Sequence, residues 1–96
     1  MKVEIKKSTR KGKKYMAIFF DPNGKRIKTT HFGLAGSKTF LDTNDEEKKE
    51  AYIKRHSVRE NFNSYMTAGS LARWINWNKK TLGASIADYK RRFNLN

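Results

Sequence analysis

The sequence predicts an α+β domain, a three-stranded antiparallel meander followed by three helices. Three observations predict it. The first third alternates apolar and polar residues and is punctuated by Asp21-Pro22-Asn23-Gly24, a strong turn signal. From Thr43 onward apolar residues recur at helical spacing. The 96 residues suit one domain, 1–96, and 6 Phe, 4 Tyr and 2 Trp provide the bulk to close its core.

In chain order, Lys2 to Lys7 sets Val3 and Ile5 on one face against Lys2, Glu4 and Lys6 on the other, the pattern of a half-buried strand (2–7). Ser8 to Lys13 is a basic turn around Gly12. The second strand, 14–20, is apolar on both faces, with Tyr15, Ala17 and Phe19 opposed to Met16, Ile18 and Phe20. Such a strand belongs in the middle of a sheet, with helices on both faces if Phe19 and Phe20 are both buried. Asp21 at the first position, Pro22 at the second and Gly24 at the fourth suit a type I turn with a bulge glycine. The third strand then runs over 25–32.

Gly33 to Ser37 reads as a loop, and Lys38 to Leu41 as a short edge strand. Thr43 and Glu46 match a capping box, and Asp45, Glu46 and Glu47 complement the helix dipole, which predicts a helix over 44–62. Its expected inner stripe is Ala51, the Arg55 stem, Val58 and Phe62, flanked by Tyr52 and Ile53. A second helix, 70–78, aligns Leu71, Trp74, Ile75 and Asn78. Thr81 caps a third, 82–93, which aligns Leu82, Ile86, Tyr89 and Phe93.

Composition excludes several function classes. There is no cysteine, so no disulfide scaffold and no thiolate metal site. His31 and His56 are the only histidines, too few for a histidine-rich metal site. No apolar run is long enough to span a membrane, and the basic N-terminus lacks the apolar stretch of a signal peptide, so the expected location is intracellular rather than secreted.

Charge is the largest deviation. Lys and Arg number 22 against 9 acids, a net +13. Residues 1–33 hold 10 basic and 2 acidic side chains, residues 34–63 hold 6 of each, and residues 64–96 hold 6 basic and 1 acidic. The excess sits at both ends of the chain, and would form one basic face if those ends met in the fold. A field of this sign favours a polyanion.

Lys6, Lys7, Arg10, Lys11, Lys13 and Lys14 crowd one turn without an acid among them, and a polyanion would neutralise their mutual repulsion. Lys25 and Arg26 come directly after the second turn. Arg73, Lys79, Lys80, Lys90, Arg91 and Arg92 supply the C-terminal cations. Trp77 and Tyr65 are candidates for base stacking or for anchoring a protein partner. Trp74 reads as core. Arg55, His56, Arg59 and Glu60 read as a helix surface with ion pairs, His56 and Glu60 being spaced to meet. The acids otherwise crowd a helix N-terminus, where the dipole accounts for them. No catalytic residues, metal site or cofactor are expected, and no phosphate-binding glycine loop is present.

Three blocks, RHSVREN (Arg55–Asn61), TAGSLARWINWNK (Thr67–Lys79) and SIADYKRRF (Ser85–Phe93), together with the segment Lys13–Gly33, are similar to a family of small, basic, uncharacterised proteins of large DNA viruses of algae and amoebae. The resemblance spans about 13–93. Where the family often reads NKPTL, this chain has Asn78-Lys79-Lys80-Thr81-Leu82, which loses a rigid helix start. The resemblance implies a viral origin, placement in a virion or infected cell, and no enzymatic activity; it carries over no functional residues.

Charge and resemblance together lead to a non-enzymatic nucleic-acid-binding protein that organises DNA through phosphate contacts, duplex DNA being the favoured partner. Helices 70–78 and 82–93 loosely resemble a helix-turn-helix, though Trp74 and Tyr89 read as core. The alternative is a minor capsid or structural protein binding acidic protein or membrane surfaces. A remoter one is a small metal-dependent nuclease built on His56 and Glu60. No small-molecule substrate is expected.

Overall fold

Alternation places Val3, Ala17, Phe19 and Phe32 on one face of a sheet, and on that face the core forms. The computed structural model describes residues 1–96. Strands β1 (Lys2–Lys7), β2 (Lys13–Phe20) and β3 (Arg26–Leu34) pair antiparallel in the order β1-β2-β3. Val3 faces Phe19, Ile5 faces Ala17 and Tyr15 faces Phe32. The Asp21 carboxylate accepts from the Asn23 and Lys25 amides, Gly24 sits at φ +84°, and the register shifts between Phe19 and Phe20. The turn chemistry therefore acts as the sequence predicts.

The rest of the chain forms four helices: α1 (Phe40–Thr43), α2 (Glu46–His56), α3 (Ala68–Leu71) and α4 (Leu82–Arg92), with a π-helical turn, Ala72–Asn76, continuing α3. Leu71, Ile75 and Tyr89 close the core on the Val3–Phe19 face together with Leu95. Phe19 is fully buried and Phe20 only half-buried, with the Lys2 ammonium 5.8 Å from its ring, so the condition for helices on both faces is not met, although Ile18 on the Phe20 face is buried as well. Residues 94–96 return beside β1, where the Val3 amide donates to the Asn96 carbonyl.

Several expected boundaries are corrected. Lys38 to Leu41 is not an edge strand: Phe40 opens α1, buried beneath the Lys49 ammonium at 4.6 Å. The N-cap of α2 is Asp45, whose carboxylate accepts from the Glu47 and Lys48 amides, rather than Thr43. That helix stops at His56, not at 62. The His56 carbonyl takes the Arg59 and Glu60 amides, and the chain turns so that the Phe62 carbonyl accepts from Ser70 Oγ and Trp74 Nε1, each at 2.8 Å. Its inner residue is Tyr52; Ala51 is exposed and Val58 is 82% exposed.

The second helix begins earlier than expected, at Ala68, with the Thr67 hydroxyl capping the Ser70 amide. It then widens. The Trp77 amide reaches the carbonyl of Ala72, five residues back, the signature of a π turn. The extra residue turns Ile75 and Asn76 both inward. Thr81 caps α4 by accepting from Ala84, as expected, and the helix ends at Arg92.

Candidate nucleic-acid interface

Of the 22 Lys and Arg side chains, only Lys14, Lys49, Arg91 and Arg92 lie within 4 Å of a carboxylate; eighteen have no acidic partner. The densest group is the β1–β2 hairpin. Lys6, Lys7, Arg10, Lys11 and Lys13 are all exposed there and unpaired. The hairpin's geometry is fixed by neutral contacts. Ser8 Oγ sits 2.7 Å from His31 Nδ1 and accepts the Arg10 amide, and the Gly12 carbonyl takes the Ala35 amide. Rigid backbone thus holds charges close together that would otherwise spread apart.

Lys14 differs from its neighbours. It is largely buried and bonded to Asp42 at 3.2 Å. The Thr39 amide donating to Asp42, and then Lys14 itself, hold that carboxyl below its ordinary value despite partial burial. Lys14 joins sheet to α1 and is not a free phosphate ligand.

The other expected cations are carried by several different elements. Lys25 and Arg26 are exposed at the opposite end of the meander, a strand length of about 20 Å away. Lys79 and Lys80 are exposed on the turn before α4, beside α1, where Asn44 Nδ2 donates to the Lys80 carbonyl. Lys90 is half-buried, whereas Arg91 and Arg92 are exposed and share Asp88. Burial acts to raise the Asp88 pKa, but the Asn78 hydrogen bond and Arg92 outweigh it and hold the carboxyl low. Arg73 is used internally: its guanidinium lies 4.1 Å from the Trp74 ring centroid and donates to the Trp77 carbonyl. Burial, and then the nearby Arg92, lower its pKa.

The aromatics separate in the same way. Trp74 is half-buried at the core's edge, with Arg73 on its ring and Arg92 3.8 Å from it. Tyr65 is no free platform: it packs against Phe19 and Phe93, and its carbonyl accepts from the buried Tyr89 hydroxyl. Burial raises the Tyr89 pKa. Trp77 is half-buried and stacks on Tyr52 at 4.6 Å, which stacks on His56 at 4.1 Å. His56 therefore does not pair with Glu60, whose carboxylate lies against Gly69, and no three His, Asp or Glu side chains converge anywhere.

Sequence reasoning missed one residue here. Asn76 is 1% exposed, and it lines a cleft with Trp77, Tyr52 and His56. An Asn inside an apolar helical run was the available signal; only the π turn reveals that it points inward.

No helix is long and apolar enough to cross a membrane. No curated protein and no solved structure matches the chain. The model of a protein family, described as a family of unknown function (DUF5754), matches residues 3–56, from β1 through α2. That match takes in the meander from Val3 onward, with its basic hairpin, and more than half of the sequence, and the chain belongs to the DUF5754 family.

Proposed function

We propose that this protein is a non-enzymatic nucleic-acid-binding protein that neutralises phosphates through the β1–β2 hairpin. The observation that carries the reading is the group Lys6, Lys7, Arg10, Lys11 and Lys13, exposed and unpaired on one hairpin. Folding this cluster without a counterion costs electrostatic free energy, which a phosphate backbone returns by releasing its own counterions. The viral setting implied by the resemblance fits a role in genome organisation in the virion.

Five neutralised phosphates predict that log affinity for duplex DNA falls against log salt with a slope of about −4 to −5. A fluorescence-anisotropy titration of labelled duplex at several salt concentrations measures it. The Lys11→Glu/Lys13→Glu variant should flatten the slope by about two while its melting curve stays within about 0.5 kcal/mol of the parent. Binding that vanishes near 150 mM salt, or an unchanged slope in the variant, would refute the reading and redirect the search to acidic protein partners.

A further inference from the structure

The only buried side-chain polar atoms without a hydrogen-bond partner are the amide nitrogen and oxygen of Asn76. Every other buried side-chain donor and acceptor is satisfied, so the fold tolerates this orphan pair at one place alone. Leaving both atoms unpaired is a standing cost, of the kind proteins keep where a ligand completes the set.

The place is a cleft of about 420 Å³ between the end of β3, α2 and the π turn. That volume is in the range that holds a small organic molecule. The stack of Trp77, Tyr52 and His56 lines it, Trp77 and Tyr52 lying within 9° of parallel. Lys38 and Arg55 also line it, both exposed and neither within 4 Å of a carboxylate. Gly33 adjoins Asn76 and sits at φ +80°. A Cβ there would meet Lys14 Cβ at 3.2 Å and the amide atoms at 3.5 and 3.6 Å, so the glycine lets the end of β3 pack directly against the amide without supplying a polar partner.

We infer that this cleft binds one nucleotide: a planar base against the aromatic wall, its edge on the Asn76 amide, and its phosphate on Arg55 and Lys38. An amide offers one donor beside one acceptor, and adenine offers the complement along its N6/N7 edge. Aromatic faces bind bases by stacking. Two unpaired cations at the same cleft suit a phosphate. The same chemistry comes from free AMP or from an unpaired adenosine in a strand. The strand form rests on the function proposed above and deepens it, because a duplex cannot present a splayed base here.

The test is an NMR titration of the uniformly ¹⁵N-labelled protein, tracking the Asn76 side-chain amide and Trp77 indole signals. The probes are AMP, ribose 5-phosphate, a single-stranded oligo(dA) and a duplex. The expected result is that AMP and oligo(dA) move both signals, while ribose 5-phosphate binds at least about tenfold more weakly. Asn76→Leu keeps the side-chain shape and removes the amide. It should lose about tenfold or more in AMP affinity and melt no lower than the parent, since no buried polar group is then orphaned. Should that variant not fold, the titration of the parent protein still decides.

Neither signal moving with AMP or oligo(dA) up to about 10 mM would overturn the inference, as would ribose 5-phosphate matching AMP. Duplex binding that persists in that case leaves the hairpin reading intact. AMP binding without oligo(dA) or duplex binding supports the cleft as a free-nucleotide site and refutes the hairpin reading.

Discussion

Replacing Asp88 with alanine removes an acceptor that three donors share. Asp88 is 6% exposed; Asn78 Nδ2 donates to it at 2.6 Å, Arg91 at 3.0 Å and Arg92 at 3.3 Å. The two arginine side chains are 74% and 41% exposed, so each ion pair contributes only a few tenths of a kcal/mol, roughly. Asn78 is buried and loses its one charged partner, which costs about 1.5–3 kcal/mol. Asp88→Ala should therefore lose about 2–3 kcal/mol and melt about 10–20 °C lower. Asp88→Asn keeps an acceptor for Asn78 and should lose about 1 kcal/mol.

The same carboxylate makes stability depend on pH. Its folded pKa lies below the unfolded value of about 3.9. Its contribution is thus complete above about pH 4 and is lost as pH falls through the lowered folded value. Asp42 shifts in the same direction, so the parent's acid destabilisation is shared between them. Melts at pH 7, 4 and 3 should show a shallower acid loss for Asp88→Asn than for the parent. An Asp88→Ala loss under about 0.5 kcal/mol, or an unchanged acid limb in Asp88→Asn, would refute the reasoning.

Phe19→Ala, at a fully buried position, should cost about 3–5 kcal/mol in chemical denaturation, whereas Val58→Ala, at the exposed bend after α2, should change stability by less than about 0.5 kcal/mol. Gly33→Ala forces a side chain into a positive φ and brings its Cβ to 3.2 Å from Lys14 Cβ; a loss of about 1–2 kcal/mol is expected, and a neutral melt would show that the strand end relaxes freely.

The elements legible in the sequence are those whose signals are local. Asp21, Pro22 and Gly24 define a turn within their own segment, and Thr81 caps α4 through the Ala84 amide three residues on. The end of α2 is different. No Gly or Pro comes soon after His56, and the chain leaves the helix to put the Phe62 carbonyl under Ser70 and Trp74, contacts that span 8 and 12 residues. Val58 fits a helical stripe that the chain does not continue. At the start of the same helix, Thr43 and Asp45 are both competent caps two residues apart, and local pattern does not separate them.

The hairpin cations were legible because charge density needs no fold to be counted. Which cations are free was not legible. Arg73 and Arg92 look alike to Lys11 in sequence, yet both lie against Trp74. Lys14 looks like Lys13, yet Asp42, 28 residues away, takes it. Asn76 was hidden by a one-residue phase change inside an otherwise regular helix.

That phase change bears on how the cleft relates to the rest of the domain. A π turn is equivalent to one residue inserted into an α-helix. Removing one residue from Ala72–Asn76 would restore ordinary winding and rotate the chain beyond the turn by about 100° relative to α3. Leu71, which precedes the turn, would keep its packing, but Ile75, Tyr89 and Leu95 would lose their place on the sheet, and the Asn76 amide and the Trp77 ring would no longer meet at the same opening. The strand pairing and the basic hairpin are thus set before the insertion in the chain, while the helical cover of the sheet and the cleft both take their phase from it. A chain with one residue fewer in that turn would keep the charge of the hairpin but would have to repack its last helix on the sheet.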